Sequence, residues 1–239
     1  MKAHFILLSG GSGSRMKISR PKQFLEMCGK PVILYSAETF ANWNSHGNFI
    51  CVANPEYLKD TEAVLEPIRS RLAGEKRFFN VVPGGSSRQE SVRKGMQALS
   101  GHTEKNDLLF FHDAARPLLL EEELERLFSS FQENHSIEIA SLVSPVSETL
   151  IRGNRLPGKM MESLDRNEIF SVKTPQVLRV SSADRLTDDS SEYTDLLTWG
   201  EASGILGHLV ESDSSNIKLT NPSDLEVLES ILEKRRKNS

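Results

Sequence analysis

Residues 5–24 read FILLSGGSGSRMKISRPKQF: four apolar residues, Phe5 to Leu8, run into Ser9-Gly10-Gly11-Ser12-Gly13-Ser14, then Arg15, and seven residues on comes Lys22. A short apolar run broken by glycines predicts a buried strand that ends in a tight loop. Glycines there let consecutive backbone N–H groups approach a ligand, and an array of amides flanked by two cations is a seat for a polyphosphate. The P-loop pattern is excluded, because Gly13 is followed by Ser14-Arg15 and not by Lys-Ser/Thr. The dinucleotide fingerprint fails as well, with Met16 where its third glycine would stand. A glycine-rich turn after a first strand is also common in α/β proteins with no nucleotide site. Arg15 and the Pro21-Lys22-Gln23 segment tip the reading towards a nucleotide.

Working outward, strand-like and helix-like segments alternate. A helix is expected from Pro31 through Ala41, a strand at Phe49–Ala53, a helix over 56–72, and a strand at 78–82 ended by Pro83-Gly84-Gly85. Then follow a helix at 88–99, a strand at 108–111 ending on His112-Asp113, a helix at 121–131 and a strand at 137–143. This alternation predicts a mainly parallel sheet with helices on both faces. From Ser144 to about Lys173 apolar residues are few and no helix is evident, which marks a functional excursion or linker. The pattern resumes at 177–180, 193–203, 206–210 and 222–234. The reading is one domain over 1–239 with an arm inserted at about 144–173.

With 239 residues, 38% hydrophobic and 26% charged, the chain has the make-up of a soluble globular protein with a full core. A net charge of −4 provides no basic field for nucleic acid, and Lys234-Arg235-Arg236-Lys237 reads as a solvated helix end. Cys28 and Cys51 are too few for a disulfide framework or a thiolate metal site, so free thiols in a reducing cytoplasm are expected. No apolar run reaches the length of a membrane span, and Lys2-Ala3-His4 leads into a strand and not a signal-peptide core.

In an open parallel sheet, ligands sit outside the carboxyl ends of the strands. The chemistry-bearing residues fall at such ends: Gly10 to Arg15, Gly84-Gly85 with Arg88 and Ser91, and His112-Asp113-Ala114-Ala115-Arg116. Gly84-Gly85 is either a plain turn or a place where backbone approaches a base, with the Ser91 hydroxyl beside it. Asp113 can hold Mg²⁺ through oxygen, or it can cap a helix or pair with Arg116. His112 reads as a structural hydrogen-bonding residue.

GGSGSRM followed by PKQF, GGSSRQESV, HDAARP, TPQ and NIKLT, in this order from about Phe5 to Ile231, resembles the cytidylyltransferases that act on 2-C-methyl-D-erythritol 4-phosphate in isoprenoid precursor synthesis. Ribitol-5-phosphate cytidylyltransferases share most of these motifs. The four residues between Met16 and Pro21, and Ala115 in HDAARP, look like the erythritol-phosphate group. Gly10 in place of Ala, Arg166-Asn167-Glu168, and Glu148-Thr149 in place of Asp-Thr depart from it.

The resemblance implies a Rossmann-like α/β fold and transfer of CMP from CTP to a polyol phosphate, with Mg²⁺ as cofactor and pyrophosphate released. It implies nucleotide contacts at Ser9, Gly10, Gly11, Gly13, Gly84, Gly85, Ser91 and Asp113, with Asp113 on the metal. Arg15, Lys22 and Lys218 match the cations that act on the phosphates. Arg116, Thr194 and Lys218 also match positions around the polyol phosphate, and Thr149 and Arg166 match acceptor contacts on the arm, which in this family crosses to the partner of a homodimer. The alternative from another class is a non-catalytic nucleotide-binding protein on the same fold.

Overall fold

The computed structural model describes residues 1–11, 20–43, 47–154, 157–187 and 191–238. In chain order its elements are β1 (Ala3–Ser9), β2 (Glu26–Met27), β3 (Lys30–Pro31), α1 (Val32–Asn42), β4 (Phe49–Ala53), α2 (Leu58–Val64), α3 (Glu66–Gly74), β5 (Phe79–Pro83) and α4 (Arg88–Ala98). They continue with β6 (Leu108–Asp113), α5 (Glu121–Glu133), β7 (Ile139–Pro145), β8 (Ile151–Gly153), β9 (Met160–Ser163), β10 (Phe170–Arg179), α6 (Leu196–Ala202), β11 (Gly207–Glu211) and α7 (Ser223–Asn238).

Seven strands form one sheet in the order β11-β7-β10-β6-β1-β4-β5, and β10 alone of these runs against its neighbours. The central strands β1, β4 and β6 are covered on both faces, so they read as continuous apolar runs. Alternate residues still divide between the faces. Phe5, Leu7, Phe49, Cys51 and Phe110 join the core under α1, α3 and α5, while Ile6, Ile50, Val52, Leu109 and Phe111 join the core under α4 and α6. A third, smaller core gathers Met27, Val32, Tyr35, Leu219 and Leu228, and so fastens α7 to the β2–β3 hairpin and α1.

From β1 the chain first builds outward through β4 and β5, then returns to place β6 on the other side of β1. The carboxyl ends of β1 and β6 are therefore the point where the winding reverses, the position at which open α/β sheets leave a crevice. Gly95 lets α4 lie close to this point, because a Cβ there would fall 2.5 Å from Ile6 Cγ2. A glycine inside a helix costs about 1 kcal/mol, and the close approach is what it permits here.

Three expectations need correction. The single helix over 56–72 is a 3₁₀ turn (Pro55–Tyr57) and two helices broken at Leu65, because Pro67 has no N–H to continue the ladder to Ala63. The strand expected at 177–180 is the end of β10, which begins at Phe170. A shift of register between Val172 and Gln176 lets β10 absorb Pro175 against β7. The arm expected at 144–173 accordingly narrows to 146–169, since Ser144 and Pro145 finish β7. It contains the β8–β9 hairpin and a 3₁₀ turn, Arg166–Glu168.

Candidate active site

The crevice holds a cavity of about 310 Å³, lined at one side by Ser9, Gly10 and Gly11 after β1, and by Lys22 and Gln23. Local sequence explains how the lysine gets there. Pro21 opens a 3₁₀ turn, Lys22–Phe24, whose Gln23 and Phe24 are buried. Gln23 Nε2 donates to the Ser9 carbonyl at 2.9 Å, tying the turn to the end of β1. Lys22 Nζ then reaches the Leu219 carbonyl at 2.7 Å, beside Lys218.

The opposite wall is the turn into α4. The Gly85 N–H donates to Ser91 Oγ at 3.0 Å, and that hydroxyl donates to the Ser87 carbonyl at 2.9 Å. Ser87 caps the helix through the Glu90 N–H. Glu90 folds back to accept from the Ser86 N–H and hydroxyl, and those hydrogen bonds hold its carboxyl down at about 2. A Cβ on Gly85 would lie 2.3 Å from Glu90 Cδ, so this turn and this carboxylate require glycine at 85. Gly84 is less tightly held, with its Cβ position 3.1 Å from Ser91 Oγ, and it does not line the cavity. At Gly11 a Cβ would meet nothing within 4 Å among the described residues.

Asp113, the last residue of β6, stands between this cavity and an adjoining one of about 220 Å³ lined by Arg116, Lys173, Thr174, Gln176, Thr194 and Asp195. Arg88 and Lys218 accompany it in both linings. Arg88 Nη1 lies 2.5 Å from Asp113 Oδ1 and Lys218 Nζ 2.6 Å from Oδ2. Burial favours the neutral acid, but the two cations outweigh it and hold the Asp113 carboxyl far below the usual carboxylate range. Asp113 is thus a fixed anion, 6% exposed, clamped from both sides.

Below it, hydrogen bonds run in one direction. The Asp113 N–H donates to Thr174 Oγ1 at 3.2 Å, and the Thr174 hydroxyl lies 3.0 Å from His112 Nδ1. His112 Nε2 is 3.0 Å from the Arg116 carbonyl, which can only accept, so Nε2 carries the proton and Nδ1 accepts from Thr174. Burial pushes this imidazole down to about 4, leaving it neutral at physiological pH. Arg116 is buried as well, though less completely than His112. Its Nη1 donates to the Asn216 carbonyl at 2.9 Å, while Nε has no partner among the described residues. Asn216 in turn donates to the Thr174 carbonyl, and the Leu219 N–H to that of Ala115. The segment 216–220 therefore stitches the turn after β6 to β10, which is how Lys218 arrives at Asp113.

Ser9, Gly10, Gly11, Lys22, Gly85, Ser91, Asp113 and Lys218 come together around the first cavity, and Arg116 and Thr194 around the second. Gly13 and Arg15 lie outside the described residues. Thr149 and Arg166 line neither cavity of their own chain: both are exposed on the arm, where Arg166 Nη1 donates to the Ser147 carbonyl at 3.0 Å. Lys173 and Asp195 are additions that the site expectations lacked, and Arg88, named there among the strand-end residues, had no role assigned. Arg88 carried a signal, as the first helical residue after GGSS; Lys173 and Asp195 carried none on their own. Among the described residues no three His, Cys, Asp or Glu side chains gather as a metal cage.

Residues 3–234 match the family model described as "IspD: 2-C-methyl-D-erythritol 4-phosphate cytidylyltransferase". The chain is 34% identical over 230 residues to the 2-C-methyl-D-erythritol 4-phosphate cytidylyltransferase of Leptospira borgpetersenii serovar Hardjo-bovis, which covers 95% of this chain and 92% of that one. With the enzyme of the same name from Aromatoleum aromaticum it shares 32% over 237 residues, covering 97% and 96%. Among solved structures, a 4-diphosphocytidyl-2C-methyl-D-erythritol synthase superposes with a TM-score of 0.75 at 26% identity, covering 97% of this chain and 98% of that one. The synthase from Anaerococcus prevotii has the same fold, at a TM-score of 0.78 and 19% identity over 97% and 96% of the two chains.

Proposed function

The chain belongs to the 2-C-methyl-D-erythritol 4-phosphate cytidylyltransferase family, and from that premise we propose how its own residues divide the work. It is a cytidylyltransferase that moves CMP from CTP to this polyol phosphate in isoprenoid precursor synthesis. Neither the ribitol-phosphate alternative nor a silent nucleotide-binding module is favoured, since the family model and both of these relatives carry the erythritol-phosphate name.

The observation that carries the division of labour is the wall shared by two cavities, made of Asp113, Arg88 and Lys218. CTP occupies the larger cavity, with its triphosphate beside Lys22, Lys218 and the amides of Gly10 and Gly11. Its base lies towards Gly85 and Ser91, and a wrong base edge there leaves buried polar groups unpaired. The acceptor occupies the smaller cavity near Arg116 and Thr194. Its phosphate oxygen attacks the α-phosphorus in line and expels pyrophosphate. That nucleophile is already anionic at neutral pH, so the site needs no general base. The need is to hold two anions together and to stabilise charge spreading over the α-phosphoryl oxygens and the leaving group, which Lys22, Arg88 and Lys218 are placed to do. A donor of this kind supplies about 3–4 kcal/mol to a transition state.

Mg²⁺ commonly takes only one or two carboxylates and completes its shell with water and phosphate oxygens. Asp113, a buried carboxylate facing the triphosphate, fits as the single protein ligand, and the metal would neutralise charge on the phosphates. Its two cations must then turn from the carboxylate to the phosphate oxygens.

We further propose one nucleotidyltransferase unit over 1–239 whose arm completes the acceptor site of a partner in a homodimer. Ile151, Met160 and Met161 are 56%, 62% and 64% exposed on the arm, which is what a surface awaiting burial looks like, and Thr149 and Arg166 would arrive with them. Both free cysteines fit a cytoplasmic setting. The test is pyrophosphate release from CTP and Mg²⁺ with each polyol phosphate. 2-C-Methyl-D-erythritol 4-phosphate should support turnover at least tenfold better than ribitol 5-phosphate, and the reverse order would overturn the acceptor assignment.

A further inference from the structure

Where β10 shifts register against β7, Lys173, Thr174 and Pro175 lie between the paired residues Val172 and Gln176, opposite Leu142 alone. Such a bulge re-aims side chains, and here it turns Lys173 into the smaller cavity and not along the sheet. Ser141 Oγ holds the Lys173 carbonyl at 3.1 Å and Asn216 Nδ2 the Thr174 carbonyl at 3.0 Å, so the backbone of the bulge is pinned.

The other charged groups of that cavity are committed. Arg88 and Lys218 grip Asp113, and the Asp195 carboxylate caps α6 through the N–H groups of Leu197 and Thr198. The Lys173 ammonium has no partner among the described residues. Glu123, the nearest acid to act on it, spends its carboxylate on Leu120, Ser212, Asp213 and Asn216. Lys173 instead shares the cavity lining with Arg116, whose Nε is buried and has no partner among the described residues, and burial and that arginine hold the lysine below its usual range. Burial costs both cations, and the carboxylates that act on them, Asp113 and Glu123 on Arg116 and Glu123 on Lys173, offset only part of that cost.

We propose that Lys173, with Arg116, is an acceptor-binding residue that holds a phosphomonoester dianion in the smaller cavity. The charges support this. Arg88 and Lys218 also line the CTP cavity, so Lys173 and Arg116 are the two cations that line the smaller cavity alone, enough to meet the two charges of a phosphomonoester. Without Lys173 one charge of the acceptor phosphate goes unmatched. Lys173 thereby selects phosphorylated acceptors over free polyols, while contributing nothing to CTP, whose cavity it does not line. The assignment rests on the reading of the smaller cavity as the acceptor's.

The test uses the full-length protein and two variants, Lys173→Gln and Lys173→Met, which keep most of the side chain's length and remove its charge. In steady state, KM for 2-C-methyl-D-erythritol 4-phosphate should rise at least tenfold in both, with KM for CTP and kcat within threefold of wild type. Lys173→Arg should recover much of the loss. In parallel, inorganic phosphate is titrated calorimetrically into protein saturated with CTP and Mg²⁺, where it should bind wild type at least tenfold more tightly than either variant. An unchanged acceptor KM together with unchanged phosphate affinity overturns the assignment, as does an equal rise in KM for CTP. If wild type fails to turn over the erythritol phosphate yet loses phosphate binding on substitution, the acceptor is misidentified and Lys173 stands.

Discussion

Strands β4 and β9 are both short and both carry apolar residues, FICVA in one and MMES in the other, yet every residue of β4 is buried and every residue of β9 exposed. The difference lies in what surrounds them. β4 pairs in parallel with β1 and β5 between two layers of helix, whereas β9 has only β8. A lone two-stranded hairpin is marginal in water. The Arg152–Glu162 pair across it, at 2.8 Å and more than half exposed on both sides, adds at most about 1 kcal/mol. The body of the molecule thus carries its own stability, and the arm borrows it.

If that division is right, a lesion at the centre of the body should damage chemistry most. Asp113→Asn keeps the shape but leaves Arg88 and Lys218 gripping a neutral amide, so kcat should fall by about 10³ or more, roughly 4 kcal/mol. Nucleotide binding, followed by fluorescence or calorimetry, should survive in weakened form. Full activity of this variant at low Mg²⁺ would remove Asp113 from the mechanism.

Lys22→Ala should lower kcat by about 10²–10³ with the thermal midpoint little changed, because the side chain lines the cavity and belongs to none of the three apolar cores. A raised KM for CTP with normal kcat would mean that Lys22 merely binds.

Acid should find the body before the arm. The His112 imidazole titrates at about 4 in the folded protein against about 6.5 in the unfolded chain. The unfolded state therefore takes up its proton first. Stability from this group is intact above about pH 6.5 and lost as pH falls towards 4, by about 3 kcal/mol. Urea unfolding at pH 7 and pH 4.5 should show that loss in wild type and a shallower one in His112→Gln. Equal losses in both would mean that His112 is not the sensor.

The smallest effect bears on the arm alone. Lys22→Ala spoils a body and Arg166→Ala an arm, and neither protein should turn over by itself. Co-refolded at random, half the dimers are mixed and each of these has one intact site, so about a quarter of wild-type activity should return if arms are exchanged. No recovery, with mixed dimers confirmed by mass, would return each arm to its own body.

The same contrast governs what could be read from sequence. β4 and β6 announce themselves as unbroken apolar runs because they are buried on both faces. The first half of β10 does not, since Phe170 to Val172 are exposed, Pro175 interrupts the run, and only a register shift admits it to the sheet. The β8–β9 hairpin has no pattern at all, because nothing in its own chain buries it. At the site, the glycine-rich turn and Asp113 were legible as residues directly following strands. The clamp on Asp113 was not: Arg88 is 25 positions away in sequence and Lys218 is 105, and only the winding of the sheet brings them to one carboxylate. Lys173 was hidden for a related reason, since its neighbours give no hint that a bulge turns it from the sheet into a cavity.

A wall shared by two cavities also ties their affinities together. With nucleotide and acceptor in the two cavities as proposed, both would draw on Arg88 and Lys218, and two anions that call on the same pair of cations compete for them. Each therefore weakens the other's equilibrium affinity, and by thermodynamic reciprocity the factor is identical in both directions. The substrates are antagonists until the moment they react. Joining them ends the rivalry, because the bond that forms merges two of the competing phosphates into one product and sends the rest of the charge away as pyrophosphate.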